Sequence, residues 1–213
     1  MRKYIVVALF LLSLSASAQN VLWQGLAEGN AAYVKGDLDF PRVPATRLTW
    51  AASQAPPVSI LSCADSRVPA ELIFSRTVGE LFVSRVAGNT PDTFDLASLQ
   101  YAVANNWTRL IVVMAHSDCG AVKAAMATKD DGLTDELKKL VKRIRESGIE
   151  RTDKPTAEEL RTAAEKNARA AADIVAKSPI IAQAITDKML TIIVAYYDVA
   201  SGKVEKIAEI TAK

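Results

Sequence analysis

The sequence predicts an α/β domain: a mostly parallel central sheet in the order 2-1-3-4 with a short final strand added, flanked by helices and preceded by an N-terminal helical arm. Three observations carry this expectation. Four short runs rich in Val and Ile, at 58–62, 81–86, 110–115 and 190–197, have the length and continuity of strands buried on both faces. Helical segments lie between them, and strands that alternate with helices favour parallel pairing with helices on both sides. The single histidine and both cysteines of the chain fall at the carboxyl ends of the first and third runs, where open parallel sheets build their sites.

Taken in order, Met1, Arg2 and Lys3 precede an uncharged apolar run from Tyr4 to Leu14 and the small residues Ser15-Ala16-Ser17-Ala18. This is the layout of a secretory leader cleaved after Ala18. The run falls well short of the roughly 20 residues that a membrane-crossing helix needs. Residues 1–18 are therefore expected to be a signal peptide rather than a membrane anchor, and residues 19–213 a single exported domain, expected in the periplasm. Leu22, Leu26, Tyr33 and Val34 share one side of a helix over 21–35, although Gly25 and Gly29 weaken it. Pro41, Pro44, Pro56 and Pro57 break the next stretch, which should cross the surface within the domain. After them come the four strands, with helices expected at 93–104, 121–127, 134–146 and 156–176. Ser201-Gly202-Lys203 reads as a turn into a final strand over 204–207.

Charge narrows the possible partners. The chain has 26 Lys plus Arg against 24 Asp plus Glu, and two of the bases, Arg2 and Lys3, lie in the leader. The mature chain is thus balanced, which argues against a nucleic-acid ligand or a polybasic membrane patch. Lys138, Lys139, Arg143 and Arg145 read as the wet face of one helix.

Cys63 follows the first strand directly; His116 and Cys119 follow the third. An order that places strand 1 between strands 2 and 3 makes strands 1 and 3 neighbours with oppositely directed crossovers, and so sets Cys63 beside His116 and Cys119. In an exported protein, two cysteines by themselves suggest a disulfide. Here pairing them leaves His116 without a role at a strand end. Two thiolates and an imidazole form instead a donor set that zinc accepts with one position left over. No further Cys or His is available, so that position falls to water, substrate or a carboxylate, and Asp65 and Arg67 stand just after Cys63.

Cys63-Ala64-Asp65-Ser66-Arg67-Val68-Pro69, then Gly79-Glu80-Leu81-Phe82-Val83 with Arg85-Val86-Ala87-Gly88-Asn89, then His116-Ser117-Asp118-Cys119-Gly120 resemble the three successive signatures of the β-class carbonic anhydrases. The likeness extends to Gly29-Asn30 upstream and to Ala195-Tyr196-Tyr197-Asp198 and Gly202-Lys203-Val204 downstream. It implies one zinc per chain, held by Cys63, His116 and Cys119, and reversible hydration of carbon dioxide to bicarbonate and a proton by a zinc-bound hydroxide. It implies that Asp65 is either a fourth ligand in a resting form or paired to Arg67 in an active one. Gln54 and Gly120 are the implied substrate contacts. A homodimer or higher even oligomer, with exchanged N-terminal arms, is implied as well. The chain departs from the family pattern near Gly29-Asn30-Ala31-Ala32-Tyr33, where the family's Arg is replaced and its aromatic kept.

Within that resemblance, members gated by bicarbonate carry a tryptophan three residues before the first zinc cysteine, where this chain has Ile60. Arg85 matches one arginine of their regulatory pocket, whereas Gln54 matches the open members, so an ungated enzyme is expected. The alternatives are a carbon disulfide or carbonyl sulfide hydrolase on the same scaffold, and a non-catalytic zinc-binding relative. Asp118 carries no assigned role, and Gly88 is read only as permitting a tight turn.

Overall fold

A computed structural model of the chain describes residues 2–38 and 43–212. Strands β1 (Val58–Ser62), β2 (Leu81–Arg85), β3 (Leu110–His116), β4 (Thr191–Tyr197) and β5 (Val204–Ile210) form one sheet in the order β2-β1-β3-β4-β5. The first three pairings are parallel and the last is antiparallel, so the expected order holds. The final strand is longer than expected, because Val204–Ile210 pairs along most of β4. β1, β3 and β4 are buried throughout, as their continuous apolar runs require. β2 is only half-buried, contrary to expectation, because it is an edge strand with β1 as its single neighbour.

Alternate side chains feed two cores. Leu61, Ile111, Val113, Ile192 and Val194 face a layer made of α4 (Thr93–Ala104), α5 (Gly120–Met126), α6 (Asp135–Arg145), α7 (Ala157–Ala176) and α8 (Pro179–Thr186). The buried side of α7 is mostly alanine, including Ala164, Ala168, Ala171 and Ala172, which lets it lie close on β3 and β4. Thr156 caps that helix in a reciprocal capping box with Glu159, and Thr134 caps α6. Both boundaries lie within one residue or so of the periodic pattern. Arg145 does not share the wet face of α6; it donates to the carbonyls of Ala125 and Ala127 and pairs with Asp130.

On the other side of the sheet, Ile60, Val112, Met114 and Ile193 meet α3 (Ala70–Ile73), Phe74 and the N-terminal helix α1 (Arg2–Lys35). The arm docks on its own chain through Gly29 and Asn30. A Cβ on Gly29 would stand 1.9 Å from the Phe74 carbonyl oxygen, so only glycine permits this approach. Asn30 donates to the carbonyls of Ile73 and Gly202 and accepts from the Val204 amide, stitching the arm to α3 and β5. Leu26 on the arm is buried against the sheet side as the periodicity indicates, whereas Val34 is 41% exposed. The proline-rich connection holds a short helix, α2 (Val43–Thr49), that the pattern did not suggest; Pro41 lies outside the described residues. Among the described residues, no helix is long and apolar enough to cross a membrane.

Candidate metal centre

The centre sits at the carboxyl ends of β1 and β3. Cys63 is the residue after β1, His116 the last of β3, and Cys119 the N-cap of α5. Asp118 adopts a left-handed backbone (φ 51°), and the chain reverses there to bring Cys119 back beside His116. One donor atom from each of Cys63, His116 and Cys119 lies within 4.8 Å of the others, and all three residues are buried. The two Sγ atoms are 4.0 Å apart and both thiols are free, so the cysteines do not form the disulfide that composition alone suggests.

His116 shows what the cluster is built to hold. Its Nδ1 donates to the Ser117 carbonyl at 2.9 Å, and since a carbonyl only accepts, that bond fixes the tautomer. In the neutral ring Nε2 then carries a lone pair, fully buried with no hydrogen-bond partner among the described residues. A buried acceptor without a partner costs free energy unless something binds it. The thiols tell the same story. The hydrogen bond with Cys119 favours the Cys63 thiolate most, against the effect of burial, with the backbone amides of Asp65 and Gly88 assisting. Cys119 is pushed up by that same bond, by burial and by the charge of Cys63. Without a cation, two thiolates cannot coexist in this space. A soft divalent metal among two sulfurs and an imidazole nitrogen resolves all three demands, so the residues fit zinc.

Asp65 borders the cluster, with Oδ2 3.9 Å from His116 Nε2. Arg67 grips it in a bidentate contact, Nε to Oδ1 at 2.9 Å and Nη2 to Oδ2 at 2.7 Å, and its backbone amide adds a third bond to Oδ1. That grip holds the Asp65 carboxyl far below the usual carboxylate range despite partial burial. Two residues from the signatures also take part here. Arg85 donates to the carbonyls of Cys63 and Asp65, bracing the loop between them. Asp118 offers its carbonyl to Arg67 and its carboxylate to Lys123, so it is a fixed part of the rim.

Gly120 lies next to Cys119 in the exposed first turn of α5, at the rim of the centre. Gln54 is not brought to the centre. It is exposed in the segment before β1, and the length of that strand, about 16 Å, separates it from Cys63 at the other end. Gly88 is more than a turn residue, for its amide donates to Cys63 Sγ at 3.2 Å. Its φ is 67° and a Cβ there would stand 2.8 Å from Ile144 Cδ1, so any other residue would be strained and would have to displace Ile144. Asn167 was not among the residues singled out by motif or spacing. It is the polar exception in the alanine stripe of α7, 98% buried, and it donates to the Gly88 carbonyl. Its place among alanines at helical spacing was the available signal.

Comparisons with known proteins agree with this geometry. A family model described as carbonic anhydrase matches residues 58–204. A carbonic anhydrase of Mycolicibacterium smegmatis is 33% identical over 193 residues, covering 86% of this chain and 90% of that protein. Carbonic anhydrase 2 of Mycobacterium tuberculosis is 45% identical over 111 residues, 52% of this chain and 54% of that protein. Among solved structures, a Coccomyxa β-carbonic anhydrase in complex with acetazolamide superposes with a TM-score of 0.69 at 25% identity, covering 94% of this chain and 88% of that one. A β-carbonic anhydrase of Sordaria macrospora, described as tetrameric, shares the fold with a TM-score of 0.69 at 24% identity, covering 92% of this chain and 97% of that one.

Proposed function

The chain belongs to the β class of the carbonic anhydrase family and interconverts carbon dioxide and bicarbonate with zinc; we propose that Cys63, His116 and Cys119 hold the metal and that Asp65 and Arg67 act beside it as a unit. When bound, zinc makes water acidic enough to supply a nucleophile near neutral pH. The remaining chemistry falls to the chain's own groups. Asp65, ionised and facing the donor set, can only accept, so it takes the O–H of a water standing there and orients a lone pair toward the carbon of the substrate. Arg67 keeps that carboxylate turned to the guanidinium rather than to the donor set. The chain has no second histidine, so the released proton leaves through water, buffer or another side chain rather than an imidazole relay.

The observation that carries this reading is the bare Nε2 of His116 beside two buried thiols, with a carboxylate held at their edge. Metal analysis paired with a carbon dioxide hydration assay tests it. One zinc per chain and rapid hydration are expected, whereas a zinc protein that turns over only carbonyl sulfide or carbon disulfide would place it in the alternative class. The enzyme is expected to be ungated. Ile60 is fully buried and offers no donor to an anion, and Arg85 is committed to two carbonyls. The same assay should therefore show no cooperative inhibition by bicarbonate.

An even-numbered homo-oligomer is proposed. Edge strand β2 is half-buried, and Phe94 on α4 is 80% exposed, which gives a second copy an apolar surface to cover. Gln54 can then serve only the metal centre of another copy. Export to the periplasm rests on residues 1–18. Mass spectrometry of the protein from its native host should find Gln19 at the N-terminus, and an intact Met1 on cytosolic protein would refute it.

A further inference from the structure

We propose that Asn167 of α7 is a positioning residue of the metal centre, acting through the Gly88 turn on the thiolate of Cys63; this rests on the zinc reading above. The connection is continuous. Asn167 Nδ2 donates to the Gly88 carbonyl at 2.6 Å, and Gly88 N donates to Cys63 Sγ at 3.2 Å. The orientation of the amide is settled by its partners, because the Gly88 carbonyl can only accept and so must face the NH₂ end. Oδ1 is then turned to the Thr90 hydroxyl, 3.2 Å away, which also lies 3.1 Å from the Gly88 carbonyl.

The same turn is tied from the sheet side. Val86 N donates to the Ser62 carbonyl, and the Val86 carbonyl accepts from Ala64 N and Asn89 N. With one side fixed by β1 and the other by α7, the Gly88 N–H has a set direction, and that direction is the sulfur. An N–H aimed at a thiolate stabilises its charge and fixes its lone pairs, the service that outer partners give to metal ligands. An asparagine 98% buried in an alanine stripe is a costly choice for packing alone. Leucine or alanine would fill the stripe without needing partners, so the amide is there for its hydrogen bonds.

Asn167→Asp and Thr90→Val separate this role from a purely structural one. Asp keeps the shape of the side chain but loses the donor to Gly88. Val removes the hydroxyl whose single O–H is shared between the Gly88 carbonyl and Asn167 Oδ1. The measurements are zinc release from the holoenzyme to a competing chelator, the thiolate-to-metal charge-transfer band of the cobalt-substituted protein, and thermal unfolding with and without metal. Positioning predicts zinc release faster by about 10- to 100-fold in Asn167→Asp, by less in Thr90→Val, a shifted cobalt band, and a smaller stabilisation by zinc. A structural role alone predicts equal loss of stability with and without metal, with release and spectrum at parent values, and that result overturns the proposal. If Asn167→Asp does not fold, Thr90→Val decides by the same readouts. A parent protein that holds no zinc would overturn the metal reading and this inference together, and is distinct from a parent that binds zinc beside variants that release it at the parent rate.

Discussion

Cys119→Ala is expected to abolish both zinc binding and carbon dioxide hydration. The same holds for Cys63→Ala and His116→Ala, because three donors within 4.8 Å leave no substitute when one is removed. The chain has no third cysteine and no second histidine, and Asp65, at the edge of the centre, is held by Arg67. Two remaining donors bind a divalent ion too weakly to survive a chelator. The loss should register in stability as well, since a ligand that binds only the folded state raises its unfolding free energy. Metal content by atomic absorption, hydration rate and melting temperature with and without added zinc give three separate readings. Full zinc retention in Cys119→Ala, or a Cys63–Cys119 disulfide in the active enzyme, would overturn the ligand assignment.

Arg67→Ala is expected to silence the enzyme while leaving the metal in place. The guanidinium makes two bonds to the Asp65 carboxylate, and the Arg67 backbone amide makes a third that survives the substitution. One bond through Oδ1 still allows the carboxylate to swing, and Oδ2 is already 3.9 Å from His116 Nε2. Released, Asp65 can complete the donor set of the metal and close the position that water needs. Hydration should fall by on the order of 100-fold or more, the scale on which one preorganised electrostatic partner acts. Zinc should stay at one per chain, which separates this outcome from the loss seen with the ligands themselves. Near-normal hydration by Arg67→Ala would contradict a shared role for the pair. Arg67→Lys is the finer probe: a single ammonium cannot reproduce the bidentate grip, so activity should remain well below the parent.

The strands and the three donors proposed to hold the metal could be read from the chain because each leaves a local mark. Val58–Ser62, Leu110–His116 and Thr191–Tyr197 are apolar on both faces, and no surface element needs such a run. Thr134 and Thr156 mark helix starts through side chains that act within one turn. Cys63, His116 and Cys119 stood out as the only thiol or imidazole donors, each at a strand end. The Asp65–Arg67 pair was legible for the same reason, since its partners are two residues apart.

What the sequence could not decide depends on neighbours distant along the chain. Burial of β2 follows from its place at the sheet edge and not from its composition. Gln54, matched by its spacing from Cys63, lies at the far end of β1 in the fold. Asp118 carries no assigned role in the sequence, yet its carbonyl holds Arg67, and no pattern records where a backbone carbonyl points. Gly29 and Gly88 read as weak points or simple turns until Phe74 and Ile144 were seen against them. Asn167 reaches Gly88 across 79 positions of chain. Periodicity and capping are set by residues one turn or one strand away, so the sequence alone determined the strands and helices α4 to α7 and singled out Cys63, His116 and Cys119; short helices such as α2 and the contacts between elements are set by how faces meet, so only the tertiary structure decided these and what braces the three donors.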